Sequence, residues 1–145
     1  MCGITGIYSF IGDISYDSLT EINNTIKHRG PDNGSVKVFG NVGLGHRRLS
    51  IIDLSKEANQ PMSCEENRYT IIFNGEVYNF LEIKNKLKLE GVEFHTSSDT
   101  EVVLQSFKFY GSKCFSMFNG MFALAIYDDI EKDLILARDQ FGIKP

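Results

Sequence analysis

The second residue of the chain is a cysteine, in a segment that reads Met1-Cys2-Gly3-Ile4-Thr5-Gly6. If Met1 is removed, Cys2 carries both a thiol and a free α-amine. Because an α-amine titrates near about 7.7–8.0 and a thiol near about 8.5, the amine can accept the thiol proton at neutral pH. Cys2 could therefore act as an N-terminal nucleophile. The alternative is a small buried residue that opens a first strand.

Asn74 and Gly75 follow a segment, residues 68–73, that has the β-branched and aromatic content of a strand. An Asn-Gly pair in this position is typical of a hairpin turn, but we expect Gly75 and Glu76 to lead into a helix. The amide of Asn74 and the backbone N–H of Gly75 are donors of the kind that form an oxyanion hole, where losing one donor costs about 3–4 kcal/mol. Asn74 and Gly75 could therefore form an oxyanion hole, with a hairpin turn as the alternative.

Two adjacent arginines, Arg47 and Arg48, end a predicted strand. Side-chain alternation places them on opposite sides of the sheet, and we interpret Arg47 as a solvated surface charge. Arg48 would then face a cleft, where a guanidinium is suited to bidentate contact with a carboxylate. Asp99, at the start of a predicted helix, is either a structural helix-start residue or a partner for an ammonium group. Arg48 and Asp99 together would bind both ends of an α-amino acid.

The size and charge of the chain exclude several classes of function. A chain of 145 residues with 42% hydrophobic content is the size of one domain with a sizeable core. Its apolar runs fall short of the roughly 20 residues of a membrane span, and its start lacks the features of a signal peptide. We therefore expect a cytoplasmic protein that binds no membrane. A net charge of -4, without Lys/Arg blocks, gives no footprint for nucleic acid.

The three cysteines and three histidines form no CxxC pair and no clustered metal-ligand spacing. We therefore expect neither a disulfide framework nor a metal site, and we interpret Cys64 and Cys114 as inert. A Cys2-His28-Asp32 triad is an alternative source of a catalytic base. The terminal amine is the simpler one, because it is already part of the nucleophilic residue.

The intervening segments predict an antiparallel α+β fold. Strands are predicted at residues 2–10, 36–39, 42–49, 68–73, 121–127 and 134–137, helices over about 19–26, 78–90 and 98–111, a loop at 28–34 and irregular structure at 53–62. The strands come mainly as hairpins and do not alternate regularly with helices, which argues against a doubly wound sheet. Two sheets packed face to face between helical layers would bury such apolar strands on both sides.

Eight segments, in this order, match a known family: Cys2-Gly3-Ile4-Thr5-Gly6, His28-Arg29-Gly30-Pro31-Asp32, Arg48-Leu49-Ser50-Ile51-Ile52-Asp53, Asn59-Gln60-Pro61-Met62, Phe73-Asn74-Gly75-Glu76-Val77-Tyr78-Asn79, Ser98-Asp99, Asn119-Gly120-Met121-Phe122-Ala123 and Arg138-Asp139-Gln140-Phe141-Gly142-Ile143-Lys144-Pro145. Over its whole length the chain resembles the glutaminase domain of class II glutamine amidotransferases. Within them it is most similar to the glutamine-hydrolysing asparagine synthetases.

The resemblance implies a four-layer αββα sandwich of the N-terminal-nucleophile hydrolase superfamily. It also implies that Cys2 attacks glutamine with its own amine as base, while Asn74 and Gly75 form the oxyanion hole. Arg48 would bind the substrate carboxylate and Asp99 its ammonium group. The rest of the glutamine pocket would come from Leu49, Ser50, Ile51, Ile52 and Glu76. Ser98 stands where many relatives have glycine.

The resemblance further implies that the released ammonia converts aspartate to asparagine in a C-terminal synthetase domain, which uses ATP and Mg²⁺. The phosphate-binding loop of that domain is absent from residues 1–145, so we expect a truncated glutaminase domain without a cofactor of its own. The domain could also form a homodimer. Two alternatives stay open, an amidotransferase for another carboxylate acceptor and a non-catalytic glutamine-binding regulatory module. A different N-terminal-cysteine acyl hydrolase fits the matched segments less well.

Overall fold

Two antiparallel sheets form the centre of the structure, which is a computed structural model that describes residues 2–51 and 53–145. The first sheet has the strand order β1-β3-β2, and the second has the order β4-β5-β6-β7. The strands are β1 Gly3–Tyr8, β2 Asn33–Phe39, β3 Val42–Arg48, β4 Met62–Ser63, β5 Tyr69–Val77, β6 Gly120–Asp128 and β7 Asp133–Arg138. The α-helices are α1 Tyr16–Thr25, α2 Phe80–Leu89 and α3 Asp99–Tyr110, and short 3₁₀ helices span Lys27–Arg29, Lys56–Ala58 and Gly111–Met117.

Helix α1 packs on the outer face of the first sheet. Its Leu19 is fully buried, and a side chain at Gly43 of β3 would place a Cβ only 2.8 Å from Leu19 Cδ2. The small residue therefore lets the helix lie close to the sheet. Asn23 fixes the contact, because its amide donates to the backbone oxygens of Ser35 and His46 at 3.4 and 3.2 Å.

An apolar layer between the two sheets joins them. Its buried members are Val42, Leu44, Ile72, Ala125 and Tyr127. The rings of Phe39 and Tyr127 lie 4.4 Å apart between centroids and cross from one sheet to the other. The predicted face-to-face packing is thus confirmed.

Helices α2 and α3 cover the other face of the second sheet, over a core that includes Ile71, Phe73, Leu87, Leu104 and Ile126. The order of layers is therefore α1, first sheet, second sheet, and α2 with α3, so the predicted four-layer αββα sandwich is confirmed. Within the described parts of the chain, no helix is both long enough and apolar enough to cross a bilayer.

The start of α3 forms only one of the two hydrogen bonds of a capping box between Ser98 and Glu101. Ser98 Oγ accepts the Glu101 N–H at 3.3 Å, as a capping box requires. The Glu101 carboxylate, however, accepts the N–H groups of His95 and Thr96 at 2.8 and 2.7 Å. These bonds fold the segment before α3 onto the helix and so fix the position of Asp99.

Strand β5 is longer than the sequence predicts. Asn74, Gly75 and Glu76 lie within it and are paired with β6, so the expectation that Gly75 and Glu76 lead directly into a helix is wrong, as is the hairpin-turn alternative. The reason is tertiary, since the two strands meet closely here. A Cβ at Gly75 would lie 2.4 Å from the Met121 carbonyl oxygen, a distance that only glycine allows.

The other predicted elements are present with shifted bounds. Strand β2 already begins at Asn33, so residues 33 and 34 of the predicted loop at 28–34 are paired with Arg47 and Arg48. A 3₁₀ helix, Lys27–Arg29, takes up the start of that loop.

Two leucines of α2 test the placement of this helix. Leu87 is fully buried, whereas Leu89 is 88% exposed. We expect Leu87→Ala to lower the free energy of unfolding by about 2–5 kcal/mol, because it leaves a cavity in the core. Leu89→Ala should change it by less than about 0.5 kcal/mol. Urea denaturation measures both, and equal losses in the two variants would contradict the packing described.

Candidate active site

A cavity of about 150 Å³ opens between the two sheets, where the first sheet ends at Arg48 and β5 continues past it. It brings together most of the residues that the sequence singled out: Cys2, Arg48, Leu49, Ile51, Asn74, Gly75, Glu76 and Asp99. Ser50 is not among the lining residues, and its N–H donates to Asp32 Oδ2 at 2.8 Å. Ile52 lies outside the described residues.

Cys2 lies immediately before β1, beside the end of β3. Its sulfur accepts the Leu49 N–H at 3.3 Å, and its thiol lies 3.6 Å from the Leu49 carbonyl oxygen. The Arg29 guanidinium also donates to the Cys2 carbonyl oxygen at 3.1 Å. The Leu49 peptide group therefore fixes the position of the sulfur at the wall of the cavity.

The other two cysteines are buried away from this cavity. Burial raises the pKa of the Cys114 thiol to about 12. Neither His28 nor Asp32 lines the cavity, so the other two members of the alternative Cys2-His28-Asp32 triad lie outside the candidate site. Among the residues that the structure describes, no group of three His, Cys, Asp or Glu could hold a metal ion.

The backbone N–H of Gly75 points away from β6. Gly75 lies opposite Phe122, and the N–H and carbonyl of Phe122 are bonded to Asp139 on the far side, at 3.0 and 2.8 Å. In an antiparallel pair, a residue whose backbone groups face the other way leaves its partner unbonded. The Gly75 N–H therefore lies on the strand edge that lines the cavity.

The Asn74 side chain lines the same cavity, and Asn74 is 2% exposed. Its amide nitrogen lies 3.5 Å from the Pro145 carbonyl oxygen, at the limit of a hydrogen bond. An amide donor and a backbone donor thus occupy consecutive residues at one wall, which is the donor set that an oxyanion hole requires.

Arg48 is buried, and the loop after β3 folds around its guanidinium. It donates to the Ser55 carbonyl oxygen at 2.6 Å, to Asn59 Oδ1 at 2.7 Å and to the Asp53 carbonyl oxygen. These acceptors are uncharged oxygens, and two of the five guanidinium N–H groups remain beyond those three bonds. Arg48 thus keeps both charge and donors for an anionic group.

Arg47 corrects one sequence-based interpretation. Alternation does place it opposite Arg48, but it is buried under α1 and is not a solvated charge. Its guanidinium donates to the Asn23 carbonyl oxygen at 3.3 Å and to Asn24 Oδ1 at 2.5 Å.

Asp99, the first residue of α3, is a buried carboxylate that lines the cavity. Burial, the largest cause, and the charge of Glu76 together raise the pKa of Asp99 to about 6, although the N–H groups of Val77 and Thr100 lower it. The Val77 N–H donates to Asp99 Oδ2 at 3.1 Å. A cation would relieve the desolvation of this carboxylate, so the site favours a positively charged group.

The residues that line the cavity without having been singled out as candidates include three that are charged or carry an amide: Asp53, Gln60 and Lys144. The Asp53 carboxylate accepts the Ser97 N–H at 2.8 Å and so joins the loop around Arg48 to the segment before Asp99. All three lie in segments that carried the family resemblance, so their positions were marked in the sequence even though their roles were not.

Comparisons with known proteins agree with this geometry. The family described as glutamine amidotransferase domain matches residues 1–145. Two relatives match over the whole chain: a putative asparagine synthetase (glutamine-hydrolyzing) 2 of Methanocaldococcus jannaschii at 37% identity, and asparagine synthetase (glutamine-hydrolyzing) 1 of Bacillus subtilis at 42%. The chain covers 31% and 23% of their lengths, so it spans less than a third of these curated relatives.

The fold has a solved counterpart in glutamine phosphoribosylpyrophosphate amidotransferase from B. subtilis, complexed with ADP and GMP. That likeness covers 99% of this chain and 38% of the other, with a TM-score of 0.81 at 23% identity, so it concerns the fold alone. The family match spans all residues from 1 to 145, and two relatives exceed 30% identity over the full chain. The chain therefore belongs to the glutamine amidotransferase domain family.

Proposed function

We propose that this domain hydrolyses glutamine to glutamate and ammonia through a thioester on Cys2. The observation that carries the proposal is the single cavity shared by a thiol, two oxyanion donors, a guanidinium and a buried carboxylate. Together these groups suit the three polar parts of glutamine, which are its side-chain amide, its α-carboxylate and its α-ammonium group. The side-chain amide would meet Cys2, and the α-carboxylate and α-ammonium groups would meet Arg48 and Asp99.

Removal of Met1 would free the Cys2 amine, which takes the proton of the thiol. The thiolate then attacks the amide carbon of the substrate side chain, and the negative oxygen that forms is held by the Asn74 amide and the Gly75 N–H. The C–N bond breaks as the protonated amine returns its proton, so ammonia leaves and a γ-glutamyl thioester remains. Water attacks the thioester and releases glutamate and the thiol.

The remaining parts of the pocket would select the amino-acid end of the substrate. Arg48 is suited to a carboxylate because it presents parallel N–H groups with a fixed charge. Asp99 accepts the ammonium group, and Glu76 adds negative charge beside it. Backbone groups of Leu49 and Ile51, which line the cavity, complete the pocket in this proposal.

We propose further that residues 1–145 are the glutaminase part of a longer amidotransferase. The relatives named asparagine synthetase extend well beyond the matched part. The ammonia would then amidate aspartate to asparagine in a synthetase domain that uses ATP and Mg²⁺. Assays of the full-length protein with glutamine, ATP and a series of carboxylate acceptors would test this step, and amidation of an acceptor other than aspartate would contradict it.

Cys2→Ala tests the glutaminase mechanism. Once intact-mass analysis confirms that Met1 is absent, we expect wild type to release glutamate from glutamine and Cys2→Ala to lose at least about a thousandfold in kcat, since the nucleophile is gone. Cys64→Ser is the matched control, because Cys64 lies away from the cavity and serine keeps an acceptor for the Tyr69 N–H.

Undiminished glutamate release by Cys2→Ala would contradict the mechanism. A wild-type chain with a free Cys2 amine that binds glutamine in calorimetry, but neither releases glutamate nor reacts with a glutamine-like electrophile, would instead indicate the regulatory binding module.

The raised pKa of Asp99, about 6, predicts a pH dependence of substrate binding. Below that pH the carboxyl is protonated and no longer attracts an ammonium group, so KM for glutamine should rise about tenfold per pH unit below 6. Without ligand, the same raised pKa contributes stability that is present below pH 3.8 and is lost as the pH rises through 6. Because glutamine should bind more tightly when Asp99 is charged, the increase in Tm that glutamine causes should grow from pH 5 to pH 7.

Asp99→Asn is the matched variant for this titration, because it keeps the shape and removes the ionisable group. It should bind glutamine weakly and with little change between pH 5 and pH 7. An identical KM for wild type at both pH values would rule out the assigned role of Asp99.

A further inference from the structure

Phe73, the residue before Asn74, has both of its backbone polar groups held by side chains. Its N–H donates to Gln60 Oε1 at 2.6 Å, and its carbonyl oxygen lies 3.2 Å from His46 Nε2. Strand β4 cannot serve here, because it has two residues and pairs with β5 only at Thr70 and Ile71. Beyond that point, the edge of β5 has no neighbouring strand among the described residues.

Alternate residues of β5 direct their backbone groups to this same edge. Ile71 is paired with β4, Phe73 with the two side chains, and the Val77 N–H with Asp99. Gly75 lies between Phe73 and Val77 on that edge. Its N–H is therefore aimed by the residues fixed on either side of it.

Gln60 is held in one orientation. It is 5% exposed, and its amide nitrogen donates to Thr100 Oγ1 at 3.0 Å. The Phe73 N–H can only donate, whereas the Thr100 hydroxyl can donate or accept, so the amide oxygen must face Phe73 and the nitrogen faces Thr100. A reversed amide would place two donors against each other.

His46 is fully buried and neutral, since burial lowers its pKa to about 4. Its Nε2 faces a carbonyl oxygen, so the proton must be on Nε2. The other nitrogen, Nδ1, is buried without a hydrogen-bond partner among the described residues, which ordinarily costs about 1–3 kcal/mol. An apolar side chain would avoid that cost but would leave the Phe73 carbonyl oxygen without a donor, so the contact with Phe73 is what His46 contributes here.

We propose that Gln60 and His46 are positioning residues for the oxyanion hole: they fix the peptide groups of Phe73 and thereby align the Asn74 amide and the Gly75 N–H. This inference rests on the proposed glutaminase function. Neither residue needs to touch the substrate for this role. A misplacement of about 1 Å at a catalytic group can cost 10²-fold in rate, so loose anchoring of Phe73 would reduce kcat.

The test compares variants that remove or keep each contact. His46→Leu and Gln60→Leu remove it, whereas His46→Gln keeps an uncharged N–H donor and Gln60→Glu keeps an acceptor for the Phe73 N–H. We expect both leucine variants to lower kcat for glutamine hydrolysis by 10- to 100-fold. The affinity for the product glutamate, measured by calorimetry, should change less than about threefold, because the groups that bind its two charged ends are untouched.

The conservative variants and a remote control separate this role from a general loss of stability. His46→Gln and Gln60→Glu should recover most of the lost kcat. Ser106→Ala removes a buried hydrogen bond of 2.6 Å to the Val102 carbonyl oxygen in α3, away from the cavity, and should leave kcat unchanged. Folded leucine variants with wild-type kcat would overturn the proposal, as would equal losses of kcat and glutamate affinity, or conservative variants no better than leucine.

A second readout does not depend on activity. In ¹⁵N-labelled protein, the amide resonance of Gly75 should move in the leucine variants and return in His46→Gln, whereas Ser106→Ala should leave it in place. An unmoved Gly75 resonance in both leucine variants would overturn the positioning role. A wild-type chain that releases no glutamate would overturn the proposed function instead, and the resonance test would still decide the role of Gln60 and His46.

Discussion

The candidate active-site cavity depends on a stretch of the β5 edge, residues 73–77, that is buried and yet has no neighbouring strand within the described part of the chain. Backbone N–H and carbonyl groups buried without partners are costly, and β4 ends after pairing with Ile71. Side chains from three other parts of the chain, namely Gln60, His46 and Asp99, satisfy Phe73 and Val77. Gly75 between them is left to face the cavity. The missing neighbour strand thus leaves the Gly75 N–H directed at the cavity, where we propose that it binds the reacting oxygen.

The same arrangement couples the parts of the pocket to one another. Asp99 contacts β5 through the Val77 N–H while it lines the end of the cavity assigned to an ammonium group. Asp53 joins the loop around Arg48 to the segment before Asp99 through Ser97. Arg48 and Asp99, which we propose bind the two charged ends of an amino acid, are therefore held at a fixed separation by direct hydrogen bonds. In this proposal the site is preorganised for a substrate of one length.

The sequence predicted the layers of the fold, the hairpins and most of the residues around the cavity, because apolar periodicity and the matched segments are local in the chain. It was wrong where contacts between distant segments decide. Asn74-Gly75 has the local signal of a turn, but pairing with β6 and the close approach of Met121 to Gly75 keep it in a strand. Arg47 is buried only because Asn23 and Asn24 of α1 accept its N–H groups. The contacts of Gln60 and His46 with Phe73 span 13 and 27 residues, beyond the reach of any local pattern.

The register of β1 against β3, with Gly3 opposite Arg47, has a consequence for how this domain can vary. Strand side chains alternate between faces, so a one-residue slip would turn the thiol of Cys2 toward α1 and away from the cavity. A shift of two residues would keep the correct face but move the sulfur by about 7 Å along the strand. An insertion or deletion of either one or two residues in the first strand would therefore displace the Cys2 sulfur from the cavity. Insertions and deletions are therefore expected in the turns of the first sheet, where they leave the register of β1 against β3 unchanged.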